Sequence, residues 1–240
     1  MIILLRRRHI LTVAGLFLAA ALAFAIATVP KPAVTASGNA MSPARPEIFL
    51  DAGHGGEDGG AVSDDGVVES SLNLSITCKA AELLCFLGQE SQLTRAGESA
   101  IYDDGCTTLR EKKVSDIHNR VDMVNSAENA VLISIHQNKL PGQPQVHGAQ
   151  VFYNTAAPAQ QLANTVQSAL NDAVNPGNAK QCKPIGQDVY LMAHVTHPAI
   201  LVECGFLSSP AETALLQTPD YQLTVALSIV CGYLQYATKE

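Results

Sequence analysis

Short apolar runs alternate with stretches whose apolar residues recur every three or four positions. Runs of this length indicate buried strands, and the recurrence indicates amphipathic helices. Strands are predicted at residues 48–52, 91–94, 130–136, 147–153 and 198–206, with a short extended piece at 189–192. Helices are predicted at residues 69–88, 109–127, 162–174 and 220–236. This alternation predicts an α/β fold, with helices flanking a mixed, largely parallel sheet in one domain.

The first 46 residues have a different pattern from the rest. Three arginines at positions 6–8 precede an uncharged apolar run over residues 10–29, which is long enough to span a bilayer as a helix. Residues 1–29 are therefore predicted to be an N-terminal membrane anchor, with a cleaved signal peptide as the alternative. Residues 30–46 contain four prolines and little to bury, so they are predicted to be a linker. The domain proper is predicted to occupy residues 47–240.

The net charge and the cysteine content indicate which binding partners and which cellular compartment to expect. The 240-residue chain has a net charge of −7, and its basic residues cluster only at the very start, so nucleic acid is not an expected partner. Either reading of residues 1–29 places the domain outside the cytoplasm, at the outer face of the membrane if the anchor is retained. Six cysteines in an exported chain could form disulfides. No CxxC pair is present, and most of them are expected to be buried apolar side chains, because free cysteine is among the most buried residue types.

Three predicted strands end in a titratable residue. His54 follows the first strand within a glycine-rich turn, His136 ends a central strand, and Glu203 lies near the end of the last one. Glu69 begins the first predicted helix. Each residue alone has a structural explanation, such as a turn or core histidine or a carboxylate at a helix end. Together they could converge, because functional crevices of open α/β sheets lie at the carboxyl ends of the strands.

Two imidazoles and one carboxylate are a ligand set of catalytic zinc sites, which keep a fourth position for water. A second, unligated glutamate can take a proton from that water and pass it to a leaving nitrogen. The chain contains no HExxH sequence, so a helical zinc-peptidase site is not expected.

The ordered motifs resemble those of the zinc-dependent N-acetylmuramoyl-L-alanine amidases of bacterial cell walls. The matching segments are LDAGHGG at residues 50–56, Glu69 with Asn73, Thr94-Arg95, Arg120 with Asn125, SIHQN at 134–138 and PAILVECGFLS at 198–208. The resemblance implies that His54, Glu69 and His136 bind Zn²⁺. It also implies that Glu203 is the catalytic glutamate and that the substrate is peptidoglycan.

Some features resemble the spore-cortex branch of that family, whose members take part in forming muramic-δ-lactam. They are the charged segment at residues 109–116, the strand at 148–153 and the segment at 189–192. Met192 is a departure from the family, because many members have an arginine near this position. Asp51 and Asp58 are candidates to orient His54. The remaining histidines match no metal position: His118, His147, His194 and His197.

The resulting hypothesis is hydrolysis of the amide between N-acetylmuramic acid and L-alanine. Two alternatives stay open at this stage. One is a non-catalytic, membrane-anchored module that binds or regulates peptidoglycan, and the other is a zinc peptidase that cuts within the stem peptide. An accessory activator protein is a further possible partner.

Overall fold

The computed structural model describes residues 45–238, so the predicted anchor at 1–29 and most of the predicted linker lie outside the described residues. No helix within residues 45–238 combines the length and the apolar character needed to cross a membrane. The described strands are β1 (Glu47–Ala52), β2 (Ser91–Leu93), β3 (Ala130–Asn138), β4 (Gln150–Tyr153), β5 (Lys183–Pro184) and β6 (Ala199–Phe206). The described helices are α1 (Glu69–Phe86), α2 (Leu109–Asn125), α3 (Ala159–Ala173), α4 (Tyr190–His194), α5 (Pro210–Leu216) and α6 (Pro219–Ala237).

The described strands form one sheet in the order β2-β1-β3-β6-β4-β5. Strands β2, β1, β3 and β6 run parallel to one another, whereas β4 is antiparallel to β6 and parallel to β5. The predicted mixed, largely parallel sheet is confirmed. Because β1, β3 and β6 are parallel neighbours, their carboxyl ends meet at the same edge of the sheet.

Helices cover both faces of this sheet. Helices α1, α3 and α6 pack on one face, where Ile76, Leu162 and Ile229 are fully buried. Helices α2 and α4 pack on the other face around Val124 and Leu191. A strand between two helical layers buries successive residues on opposite faces, which explains why β3 is apolar at nearly every position from Ala130 to Ile135.

One sequence prediction about local structure is wrong, and two short elements were missed. Residues 189–192, predicted as extended, mostly belong to helix α4, because the neighbouring Leu191 and Met192 both bury against the same face of the sheet. Consecutive residues of a strand would point to opposite faces. The short strand β5 and the helix α5 were not predicted.

The expectation that most cysteines are buried is also wrong. Cys204 on β6 is buried, but Cys85 and Cys231 are exposed and the other three are half-buried. On α1 and α6 the adjacent Leu84 and Val230 take the core positions, and this turns Cys85 and Cys231 outward. None of the six cysteines, all within the described residues, forms a disulfide.

Candidate active site and metal centre

His54 lies in the glycine-rich loop that follows β1. Its backbone has a φ of +62°, the left-handed region that residues with side chains seldom adopt. Two contacts hold this conformation: Arg120 Nη2 donates to the His54 carbonyl at 2.7 Å, and the His54 Nδ1 atom lies 2.9 Å from Asp58 Oδ2. With Nδ1 paired, Nε2 is the nitrogen that faces Glu69, at 3.4 Å from Oε1.

Glu69 is the first residue of α1, and its side chain is buried among donors. Its Oε2 accepts from the Ala61 amide at 2.7 Å, and its Oε1 accepts from the Gln137 amide at 3.1 Å and from Asn73 Nδ2 at 3.3 Å. His136 Nδ1 lies 3.0 Å from the same Oε1. Burial raises the pKa of Glu69, but its bonds to His136 and His54 outweigh burial and hold the pKa well below the ordinary value.

Two glycines make room for the side chains of this site. A Cβ atom at Gly53 would lie 2.2 Å from the ring of His136, so only glycine lets the loop pass beside that ring. A Cβ at Gly60 would lie 2.6 Å from Glu69 Oε2, and the φ of Gly60 is +71°. The glycines around His54 therefore allow close packing within the site itself.

The structure brings the three predicted ligands together. One ligand atom from each of His54, Glu69 and His136 lies within 4.8 Å of the other two, and the two imidazole rings are nearly perpendicular, at 76°. Within residues 45–238, these three side chains are the histidine, cysteine or acidic residues whose ligand atoms lie close enough together to hold a metal ion. Two imidazoles and a carboxylate at this spacing fit a divalent cation such as zinc.

Glu203 faces this cluster from the neighbouring strand. It pairs in register with His136 across β6 and β3. Its Oε2 atom is buried and has no hydrogen-bond partner among the described residues. Burial raises the pKa of Glu203 to about 7, with Glu69 adding to the rise and the histidines opposing it. A carboxyl group with this pKa can both accept and release a proton near neutral pH.

Other candidates from the sequence lie outside the cluster. His147, His194 and His197 bond to backbone carbonyl oxygens of nearby residues, and His118 packs beside the ring of Tyr190. Met192 is a core side chain. Asp58 orients His54 as expected, but the same expectation for Asp51 is wrong.

The Asp51 carboxylate belongs to a buried charge cluster behind the His54 loop. It accepts from Arg120 Nη1 at 2.5 Å, from Ser134 Oγ at 2.5 Å and from Thr94 Oγ1 at 2.7 Å. Arg120 also pairs with Asp116 at 2.8 Å. Burial raises the pKa of Asp51, but the Arg120 charge and the hydroxyl bonds lower it to about 2. The Asp51 carboxylate is therefore bound by Arg120, Ser134 and Thr94 and not by the His54 ring.

Asn73 has a structural role that sequence reasoning missed. It lies one helical turn after Glu69, donates to Glu69 Oε1 and to the Gly53 carbonyl, and accepts from Gln137 Nε2 at 3.2 Å. The four-residue spacing from Glu69 was the available signal, because residues i and i+4 share one face of a helix.

The sequence profile of the N-acetylmuramoyl-L-alanine amidase family, Amidase_3, matches residues 48–234. The chain belongs to this family. The germination-specific N-acetylmuramoyl-L-alanine amidase of Bacillus subtilis (strain 168) is 34% identical over 193 residues, which cover 80% of each chain. The predicted enzyme class, an amidase that acts on the cell wall, is thereby confirmed.

Solved structures of amidases share the fold. The CwlD amidase from Clostridioides difficile, determined in complex with the GerS lipoprotein, superposes with a TM-score of 0.77 at 34% identity, covering 81% of this chain and 100% of that one. An N-acetylmuramoyl-L-alanine amidase from Clostridium difficile 630 gives a TM-score of 0.68 at 28% identity, covering 81% and 98%. The predicted α/β amidase fold is confirmed.

Proposed function

We propose that this amidase is zinc-dependent and hydrolyses the amide between the lactoyl group of N-acetylmuramic acid and L-alanine in peptidoglycan. One observation carries the proposal. Three potential ligand atoms of His54, Glu69 and His136 lie within 4.8 Å of one another, beside a glutamate with an unpartnered buried oxygen. In a family of cell-wall amidases, this arrangement supports metal-assisted amide hydrolysis.

His54, Glu69 and His136 would hold the zinc ion. When bound, zinc acts as a Lewis acid that polarises a carbonyl and lowers the pKa of water. Asp58 keeps the His54 Nδ1 atom paired, which leaves Nε2 available as the ligand atom. The Ala61 amide holds Glu69 Oε2, so Oε1 remains turned towards both rings.

Glu203 would move the proton in this reaction. Its buried Oε2 atom has no hydrogen-bond partner among the described residues, so no protein donor competes for it. In the ionised form Glu203 takes a proton from the attacking water, and in the protonated form it gives that proton to the leaving amine of L-alanine. A pKa of about 7 makes both forms accessible at neutral pH.

Mass analysis of products tests the bond that is cut. The full chain, loaded with zinc, is incubated with purified muropeptides, and a parallel sample is treated with a chelator. We expect release of stem peptide with a free L-alanine amine, and loss of release after chelation. A new amine on an internal residue would instead establish a peptidase, and full activity after complete metal removal would contradict zinc dependence.

We also propose a role in spore-cortex maturation. The 34% identity to the germination-specific amidase of Bacillus subtilis supports it, since four-fifths of each chain are covered. The test is expression of this chain in a strain that lacks the Bacillus subtilis enzyme, with analysis of the cortex. Restored muramic-δ-lactam is expected, whereas restored peptide release without the lactam would contradict the cortex role.

An accessory protein is proposed as a partner. The support is that the CwlD amidase from Clostridioides difficile was determined in complex with the GerS lipoprotein. The full chain purified alone should then bind zinc substoichiometrically or turn over slowly. One zinc ion per chain with full activity in isolation would contradict the need for a partner.

The proposed location is the outer face of the membrane, with residues 1–29 as an uncleaved anchor. A peptidoglycan substrate supports this location, because the polymer lies outside the cytoplasm. Fractionation of cells that express the full chain should recover it with membranes, and deletion of residues 1–29 should abolish that recovery. A shortened, released mature form would favour the cleaved signal peptide instead.

A further inference from the structure

Two consecutive lysines at the start of α2 reach the loop that carries His54. The beginning of this helix is fixed by a reciprocal cap: the Glu111 amide donates to Thr108 Oγ1 at 3.2 Å, and the Thr108 amide donates to Glu111 Oε2 at 2.9 Å. Lys112 and Lys113 follow in the next turn and contact residues 57 and 58 of the loop. Helix α2 is therefore tied to the loop at two adjacent points.

Lys113 contacts the residue that orients His54. Its Nζ atom lies 2.8 Å from Asp58 Oδ1, while Asp58 Oδ2 pairs with His54 Nδ1 at 2.9 Å. The Asp58 carboxylate is thus held at both oxygens, and the Gly60 amide makes a longer contact of 3.3 Å to Oδ1. The side chain of Lys113 is 47% exposed, so the core does not depend on it for packing.

Lys112 provides a comparison with the same charge on the same helix, although its side chain is less exposed, at 17% against 47% for Lys113. It pairs with Glu57 and lies 5.1 Å from the centre of the Tyr102 ring. The Glu57 side chain is 59% exposed, and it pairs with Lys112 and not with a proposed ligand. The two lysines therefore place the same charge against the same loop. Lys113 contacts Asp58, which in turn pairs with His54, whereas Lys112 contacts Glu57.

We infer that Lys113 is a positioning residue for His54 as a metal ligand, acting through Asp58. The inference rests on the proposed zinc site. A carboxylate held at one oxygen can still rotate about its Cβ–Cγ bond, whereas a second charged hydrogen bond fixes its plane. A fixed Asp58 keeps the His54 ring turned so that Nε2 faces Glu69 and His136, and this reduces the reorganisation that metal binding requires.

The experiment measures zinc affinity in the full chain, by competition with a chromophoric chelator, for the wild type and three variants. Lys113→Met should weaken zinc binding about 3- to 10-fold, less than loss of a direct partner of a ligand histidine. Lys113→Arg, which keeps a charged donor, should restore affinity to within about twofold of the wild type, and Lys112→Met should match the wild type.

A second readout separates positioning from general stability. With cobalt in place of zinc, the visible absorption bands report the ligand geometry, and Lys113→Met should change them whereas Lys112→Met should not. The midpoint of thermal unfolding of metal-free Lys113→Met should match that of the metal-free wild type, because the Lys113 side chain is exposed. Equal zinc affinity for Lys113→Met and the wild type, or an equal loss in Lys112→Met, would overturn the inference.

Failure of the inference and failure of the proposed function give different results. A wild type that binds zinc and releases stem peptide, with no change in Lys113→Met, overturns the inference alone. The expected loss of zinc affinity without any release of stem peptide refutes the proposed substrate and leaves the inference standing. A wild type that binds no zinc overturns the inference together with the proposed metal.

Discussion

Glu69 at the start of α1 and Glu203 in the second half of β6 face the same site, with opposite surroundings. Glu69 accepts hydrogen bonds at both oxygens from the backbone, an asparagine and the facing histidines. Glu203 has a buried oxygen without a partner among the described residues. Correspondingly, the pKa of Glu69 is held well below its usual value, whereas that of Glu203 is raised to about 7.

The difference assigns different chemistry to two residues of one type. A carboxylate stabilised as an anion and aimed by several donors is suited to bind a cation permanently. A carboxyl group poised between its two protonation states is suited to transfer a proton. The number of local donors, more than the residue type, separates the proposed ligand from the proposed base.

The sharpest test exchanges each glutamate for its uncharged isostere. Glu203→Gln should retain zinc and lose activity on muropeptides by about 100- to 10,000-fold, as expected when an acid–base group is removed. Glu69→Gln should lose activity to a similar extent but should also fail to hold zinc. Zinc content and peptide release are measured on the same samples. Equal zinc contents in the two variants would contradict the division of roles.

Removing Arg120 would leave the buried carboxylate of Asp51 on β1 without its charged partner. Arg120 is 1% exposed and pairs with Asp51 and Asp116. Arg120→Met should lower the free energy of unfolding by about 3–5 kcal/mol, because a buried charge loses its partner. Urea denaturation measures the change. The control is Arg110→Met on the exposed side of the same helix, which should cost less than about 0.5 kcal/mol.

The two glutamates should contribute to stability with opposite dependence on pH in the metal-free protein. Burial raises the pKa of Glu203 from 4.5 to about 7, so its ionisation costs stability as pH rises between these values, by up to about 3 kcal/mol. The pKa of Glu69 is lowered, so its contribution is present above pH 4.5 and is lost as pH falls further.

Chemical denaturation at several pH values checks these signs. Relative to the wild type, Glu203→Gln should gain stability between pH 4.5 and 7, and Glu69→Gln should lose the stability that the wild type has above pH 4.5. At each pH, the free energy of unfolding of the wild type is subtracted from that of the variant. This cancels the contributions of the other titrating groups, which both proteins share. The same pH trend in both variants would refute the contrast between the two sites.

The smallest expected effect concerns one of the donors that distinguish Glu69. Asn73 is fully buried and donates to Glu69 Oε1 and to the Gly53 carbonyl. Asn73→Ala should cost about 1–3 kcal/mol of stability, because these acceptors lose a buried donor. Zinc affinity should also fall, by less than in Glu69→Gln. Unchanged affinity would show that the remaining donors suffice to hold Glu69.

The sequence by itself determined the family, most of the elements and the four residues of the candidate site. Its apolar periodicity located β1, β3 and β6 and the long helices, because burial on one or both sides leaves a local pattern. His54, His136 and Glu203 could be grouped since parallel strands end at one edge. Their roles as ligands and base remain predictions that the experiments above address.

Only the tertiary structure decided how those residues are held. Asp58 but not Asp51 orients His54, α4 is helical, and Lys113 reaches Asp58 from a helix that begins 51 residues after that loop position. Each of these features depends on contacts between segments distant in sequence, which local propensity does not encode. The pKa contrast between Glu69 and Glu203 likewise follows from which donors packing places beside each carboxyl group.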